Sequence, residues 1–172
     1  MLIMGLALAM VPVVIFPILK RHNEVLALGY VVFRGALETV TYLVVVISFL
    51  LLASLSQAAA QSGTSEAASF QALGGLMLRT NEIGATTTEI IFPLGALMLY
   101  SVLYQSKLIP RWISGWGIIA VILHLVSGLL DMFGLIGQMS TLQTVLALPI
   151  ALQEMVMAVW LIVKGFDSSA VA

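Results

Sequence analysis

Cysteine is missing from this sequence of 172 residues, and charged side chains make up only 9% of it. Without cysteine there are no disulfides, thiolate nucleophiles or thiolate-based zinc and iron–sulfur sites, and cysteine usage points to no redox compartment. A soluble globular domain carries about 25% charged residues. A chain this small has too much surface to cover with fewer. The scarcity of charge therefore excludes a soluble enzyme, a disordered chain and a nucleic-acid binder. Basic excess is lacking too: a formal net charge of −1 leaves no footprint for a phosphate backbone.

Apolar residues are what the chain has in abundance. They form 61% of it, with a mean hydropathy of +1.13. A helix crosses about 30 Å of hydrocarbon with roughly 20 mostly apolar residues. Five stretches qualify, at residues 2–19, 26–55, 83–104, 113–130 and 142–163. The expected fold is all-α and transmembrane: one domain over residues 1–172 built as a bundle of about five spanning helices. The apolar runs are continuous rather than alternating, which argues against barrel strands. Lys20 and Arg21 follow the first stretch and no basic residue precedes it, so it reads as a retained helix rather than a signal peptide.

Lysine and arginine placement sets orientation. Lys20, Arg21, Lys107, Arg111 and Lys164 fall in alternate connections or after the last span, on one side of the bundle. The expectation is an N-terminus outside and a cytoplasmic C-terminus, in the inner or plasma membrane of a bacterium. The connection at 56–82 holds Phe70, Leu73 and Met77 at helical spacing after a candidate cap at Ser65. One reading is a short helix on the outer membrane surface. The other is a loop carrying chance apolar residues.

Information concentrates in the side chains that cost most to insert. An ionisable group at mid-bilayer costs about 2.5–3.5 kcal/mol on insertion scales. Arg34, Glu38, Glu89, His124 and Glu154 all fall inside the expected spans, and Asp131 sits at an outer end. At about 1.5 Å per residue from the basic end, Arg34 and His124 lie roughly 18 Å deep and Glu154 about 15 Å, with Glu38 and Glu89 about 24 Å deep. Small and polar residues share faces with them: Ala27, Thr41 and Ser48; Ala85, Pro93, Ala96 and Tyr100; Gly117, Ala120 and Gly128; Ala147, Ala151 and Ala158. Such faces let membrane helices approach and bond to one another. Four helices are expected to converge on a polar interior, with the first helix peripheral. Arg34 pairs naturally with Glu38 at i,i+4, or with Glu154, which leaves Glu89 without an obvious cation.

No catalytic set is complete. His124 and Asp131 lie seven apart, a spacing that could orient an imidazole, but no serine elbow accompanies them. Metalloprotease, phosphate-loop and paired-aspartate signatures are absent. No cofactor or metal is expected. Trp112, Trp116 and Trp160 stand beside basic residues as interfacial anchors.

The strings Phe33-Arg34-Gly35-Ala36-Leu37-Glu38, residues 108–117 around Ile109-Pro110-Arg111-Trp112, residues 148–156 around Gln153-Glu154-Met155 and residues 160–166 resemble a bacterial integral-membrane family, domain of unknown function 4386. That resemblance implies a helical inner-membrane protein and marks Arg34, Glu38 and Glu154 as parts of its motifs. Family members look longer at the N-terminus, so it also implies a short or internally starting chain. It brings no substrate, cofactor or activity. The sequence favours a non-enzymatic scaffold, sensor or accessory subunit, with the lipid bilayer as first partner and apolar faces suited to a homo-oligomer or larger membrane complex. The rival is a small carrier or channel for a proton, ion or polar solute. Pro93 and Pro149 keep it open, because broken helices at midplane are a carrier device.

Overall fold

The computed structural model describes residues 2–61 and 67–171. Every regular element among them is helical: α1 (Leu2–Leu19), α2 (Glu24–Tyr30), a π-helical segment Val31–Leu37, α3 (Glu38–Gln61), α4 (Ala67–Ser106), α5 (Arg111–Met132), α6 (Thr141–Val163) and a terminal turn α7 (Ser168–Val171). Four helices are long and apolar enough to cross a membrane: the continuous rod Glu24–Gln61, then α4, α5 and α6. At 18 residues, α1 spans only about 27 Å. It is apolar throughout but falls short of the other four.

Beside an apolar core, large apolar side chains cover the outside and several polar ones lie inside. Val32, Val40, Ile47, Ile119, Val145 and Ile162 are exposed, whereas Glu38, Thr41, Ser48, Ser114, Ser127, Gln143 and Gln153 are buried. Lipid accepts the first set at no cost, and the second set must find partners inside the bundle. This is the pattern of a membrane protein.

Local sequence explains the boundaries. Asn23 caps α2 by accepting a hydrogen bond from the Leu26 N–H at 3.0 Å, and Ser140 caps α6 by accepting from the Gln143 N–H at 3.3 Å. Pro110 stands immediately before the first residue of α5, where its missing donor costs nothing. Pro93 and Pro149 sit inside unbroken helices; neither produces the midplane break considered above.

The connection at 56–82 differs from expectation. α3 runs on to Gln61 and α4 is one helix from Ala67, so Phe70, Leu73 and Met77 belong to the spanning helix α4 rather than to a separate surface helix. The reason is a partner: a Cβ on Gly74 would meet the Leu55 and Leu52 side chains of α3 at 3.8 and 3.9 Å. This part of α4 runs beside the α3 extension, with Phe70 and Met77 partly buried and Leu73 exposed. Residue Ser65, the expected cap, lies outside the described residues.

A polar ladder joins α3 to α4. Asn81 donates to Ser48 at 3.2 Å, and Thr88 donates to Thr41 at 2.7 Å. Interhelical bonds of this kind in membrane proteins average about 0.6 kcal/mol. Thr88→Val is expected to cost about that much in a detergent unfolding titration, because the Thr41 hydroxyl keeps its bond to the Glu38 carbonyl.

Candidate functional site

The five ionisable residues singled out in the spans meet at one place. Arg34, Glu38, Glu89, His124 and Glu154 all line a partly open cavity of about 560 Å³ between the helices. Its remaining walls are the polar side chains of Tyr42, Asn81 and Thr88 and the apolar ones of Met4, Leu8, Val45, Phe49, Ala85 and Phe92.

Arg34 is the centre of the arrangement. It donates through Nη1 to both Glu38 carboxylate oxygens, at 3.1 and 3.0 Å, and through Nη2 to Glu154 Oε1 at 3.4 Å. The sequence left these two partners as alternatives, and the fold uses both. Its guanidinium also stands 4.5 Å from the centre of the Phe92 ring, a cation–π contact strengthened by desolvation. Phe92 in turn presents an edge-on contact to His124, with ring centroids 5.5 Å apart. Glu38 is 2% exposed and the Glu154 side chain 38% exposed, so one carboxylate is sealed and the other meets the opening.

The backbone around Arg34 is unusual. Residues 31–37 form π-helical turns, and the Glu38 N–H bonds back to the Phe33 carbonyl. Such turns are rare, occur mostly as single insertions within α-helices, and concentrate at functional sites. Two glycine contacts show how the segment is wedged. A Cβ on Gly35 would stand 3.6 Å from the Ala9 carbonyl and 3.7 Å from the Pro12 ring of α1, and one on Gly95 of α4 would meet the Arg34 nitrogen at 3.2 Å. Packing from both sides holds the wider turn.

Glu89 belongs to the opposite wall. Its Oε1 accepts from Gln143 Nε2 at 2.7 Å, while Gln143 Oε1 accepts from the Met139 N–H in a short contact. Glu89 Oε2 and His124 Nδ1 are buried and have no hydrogen-bond partner among the described residues. The seven-residue spacing of His124 and Asp131 does not become a hydrogen bond at His124 Nδ1. Asp131 instead accepts from Thr86 at 2.7 Å, and Thr86 accepts from Gln138 at 2.8 Å. That network ties α4 to α5 at the far end, away from the cavity lining.

Three of the four small-residue faces point inward as read. Ala27, Thr41 and Ser48 are buried, as are Ala96 and Tyr100, and Gly117, Ala120 and Gly128. The fourth does not. Ala151 and Ala158 are exposed, and α6 buries Gln143, Ile150 and Gln153. The face is rotated because the two glutamines have partners to reach. Gln143 holds Glu89, and Gln153 accepts from the Tyr100 hydroxyl at 2.6 Å while donating to the Ile113 carbonyl at 3.1 Å. α1 also departs from its expected role. It packs chiefly on the rod, yet Met4 and Leu8 close the cavity on one side.

Sequence reasoning therefore missed Gln143, Phe92, Met4 and Leu8. Gln143 and Gln153 bracket Ile150 at i, i+7 and i+10, a helical spacing that marks a face; the others leave no polar signal. No group of three His, Asp or Glu side chains among the described residues is placed to hold a metal ion. The chemistry on offer is binding and proton exchange by carboxyl groups in a low-dielectric niche.

No curated protein and no solved structure matches the chain. A family model does match, over residues 1–165, and its reach from α1 to beyond α6 takes in every wall of the cavity. The chain belongs to that family, the domain of unknown function DUF4386.

Proposed function

We propose that this is a non-enzymatic membrane protein that binds a small amphipathic cation in its interhelical cavity and acts as a sensor or accessory subunit. One observation carries the reading: three carboxyl groups and one guanidinium surround the same cavity. Uncompensated charge in hydrocarbon is costly. Arg34 is engaged with Glu38 and Glu154, so positive charge has to come from elsewhere, as protons or as a ligand. An ammonium head suits the partly exposed Glu154 and the unpartnered Glu89 oxygen. An apolar tail suits Met4, Leu8 and Phe49. The π-helical turns beside Arg34 give the rod a place to change register when the head binds.

The test uses the purified protein in detergent and three probes of matched tail: octylammonium, octanoate and octanol. Octylammonium at tenfold over its Kd raises the melting temperature by about 3–6 °C, the other two leave it unchanged, and Glu154→Gln abolishes the shift without unfolding the chain. Equal shifts from all three probes would overturn the reading.

A second reading, a proton or ion carrier, rests on the buried Glu89 Oε2 and His124 Nδ1, which have no partner among the described residues. Flux across proteoliposomes separates it from the first: wild-type flux that persists unchanged in Glu154→Gln takes that residue out of any transport path. In either case the basic end faces the cytoplasm of a bacterial cell by the positive-inside rule, and exposed apolar faces leave room for a homo-oligomer or larger membrane complex.

A further inference from the structure

The basic end of the bundle carries a second site, built from residues that the intramembrane cavity does not use. Here α4 ends at Ser106, α5 begins at Arg111, and α6 ends at Val163 with Lys164 as its C-cap. The segment after α6 folds back over the α4–α5 connection, and the Asp167 N–H donates to the Leu108 carbonyl at 2.9 Å. Leu108 and Ile109 are almost fully buried beneath it. This clasp makes a concavity of about 530 Å³ lined by Lys107, Arg111 and Lys164, with Trp160 and Asp167 among its other walls. Three cations from two connections far apart in sequence thus meet one carboxylate.

One of the three cations is anchored by its side chain. Arg111 donates through Nε to the Tyr104 carbonyl at 3.3 Å and lies 5.3 Å from the centre of the Tyr104 ring. Lys107 takes a left-handed backbone, with φ of 59°, a conformation few residues other than glycine adopt. Directly alongside runs an apolar groove of about 410 Å³ that shares Trp160 and Lys164 with the concavity and continues along Val163, Val159 and Met155. Met155, Val159 and Val163 are exposed. From Lys164 to Met155 the groove follows α6 for about 13 Å, away from the charged end and into the apolar layer.

We infer that the paired concavity and groove form a binding site for one anionic phospholipid, its phosphate held by Lys107, Arg111 and Lys164 and one acyl chain lying along the Met155–Val163 groove. Charge selects the headgroup, and the shared Trp160–Lys164 wall joins it to the chain at the depth where tryptophan and lysine stand in membranes. A soluble phosphate ester would satisfy the concavity but leave the groove empty. Basic pockets between spanning helices take such headgroups, with each cation worth about fivefold in preference. The site stands independently of the cation-binding reading of the cavity.

Native mass spectrometry of the full chain, released from nanodiscs of equal phosphatidylglycerol and phosphatidylcholine, tests it. The expected result is retention of one phosphatidylglycerol in clear excess over phosphatidylcholine. Lys164→Gln lowers that excess by about fivefold, and Val159→Trp, which fills the groove while keeping all three cations, lowers retention as well. Glycerol phosphate at millimolar concentration leaves the lipid bound. Melting temperatures of both variants confirm that the chain stays folded. Equal retention of the two lipids, an excess unchanged in both variants, or displacement by glycerol phosphate would overturn the assignment, the last of these in favour of a soluble phosphate ester.

Discussion

Arg34→Met lowers the stability of the bundle by about 3–5 kcal/mol, the scale seen when one partner of a buried ion pair is removed. The loss comes mainly from what remains. Glu38 is 2% exposed and Arg34 is its side-chain partner, so the variant leaves a carboxylate in a low-dielectric wall with Glu154 and Glu89 across the same cavity. The cation–π contact to Phe92 goes at the same time. Arg34→Lys retains the charge but not the fork that reaches two carboxylates at once, so its loss falls between wild type and methionine. Adding Glu38→Gln to Arg34→Met recovers most of the stability, because a buried pair replaced on both sides is often close to neutral. Chemical unfolding in detergent, followed by helical circular dichroism, measures all three. A change below about 1 kcal/mol in Arg34→Met would place Arg34 among weakly coupled surface pairs and undo the view that it organises the site.

That expectation explains why Arg34, Glu38 and Glu154 were legible in the sequence. Charge in an apolar span is expensive enough to need a reason, and the i,i+4 spacing of Arg34 and Glu38 names one partner without any structure. The spans were legible on the same ground, since an uninterrupted apolar run has few other homes. Legibility faded where the physics is cheaper. Gln143 and Gln153 cost little to insert by comparison, so nothing flagged them, yet their bonds to Glu89 and Tyr100 fix which face of α6 turns inward. Ala151 and Ala158 drew the face one step too far round because small residues suit lipid as well as helix contacts. The π-helical turns at residues 31–37 leave no periodic signature, since one widened turn shifts later positions by less than the width of an apolar face. Met4 and Leu8 line the cavity as ordinary apolar side chains, indistinguishable by type from those that meet lipid.

The second large effect concerns Gly128, where α5 crosses α4. A Cβ at this position would lie 2.9 Å from the Glu89 carbonyl oxygen, 3.1 Å from Glu89 Cβ and 3.2 Å from its carbonyl carbon. Two of those three atoms are backbone, which cannot rotate away as a side-chain tip would. The carbonyl has its own reason to project here. Its helical donor would be the N–H of residue 93, and Pro93 has none. A hydrogen on Gly128 leaves room for the freed oxygen where a methyl group does not. Gly128→Ala must push α5 from α4 at the level of Glu89, and such overpacking costs about 1–3 kcal/mol. The penalty outweighs the helix-propensity gain of up to about 1 kcal/mol for replacing glycine with alanine. Gly75→Ala supplies the control: nothing lies within 4 Å of its Cβ position in α4, so only the propensity gain remains and the variant is neutral or slightly stabilised. Detergent unfolding titrations should therefore move the two variants apart, Gly128→Ala below wild type and Gly75→Ala at or above it. Gly128→Ala should also weaken the octylammonium shift, because moving α5 displaces His124 and loosens the wall that holds Glu89. Equal stabilities for the two variants would mean that α4 and α5 are not in backbone contact at Glu89, and that the cavity owes its shape to other contacts.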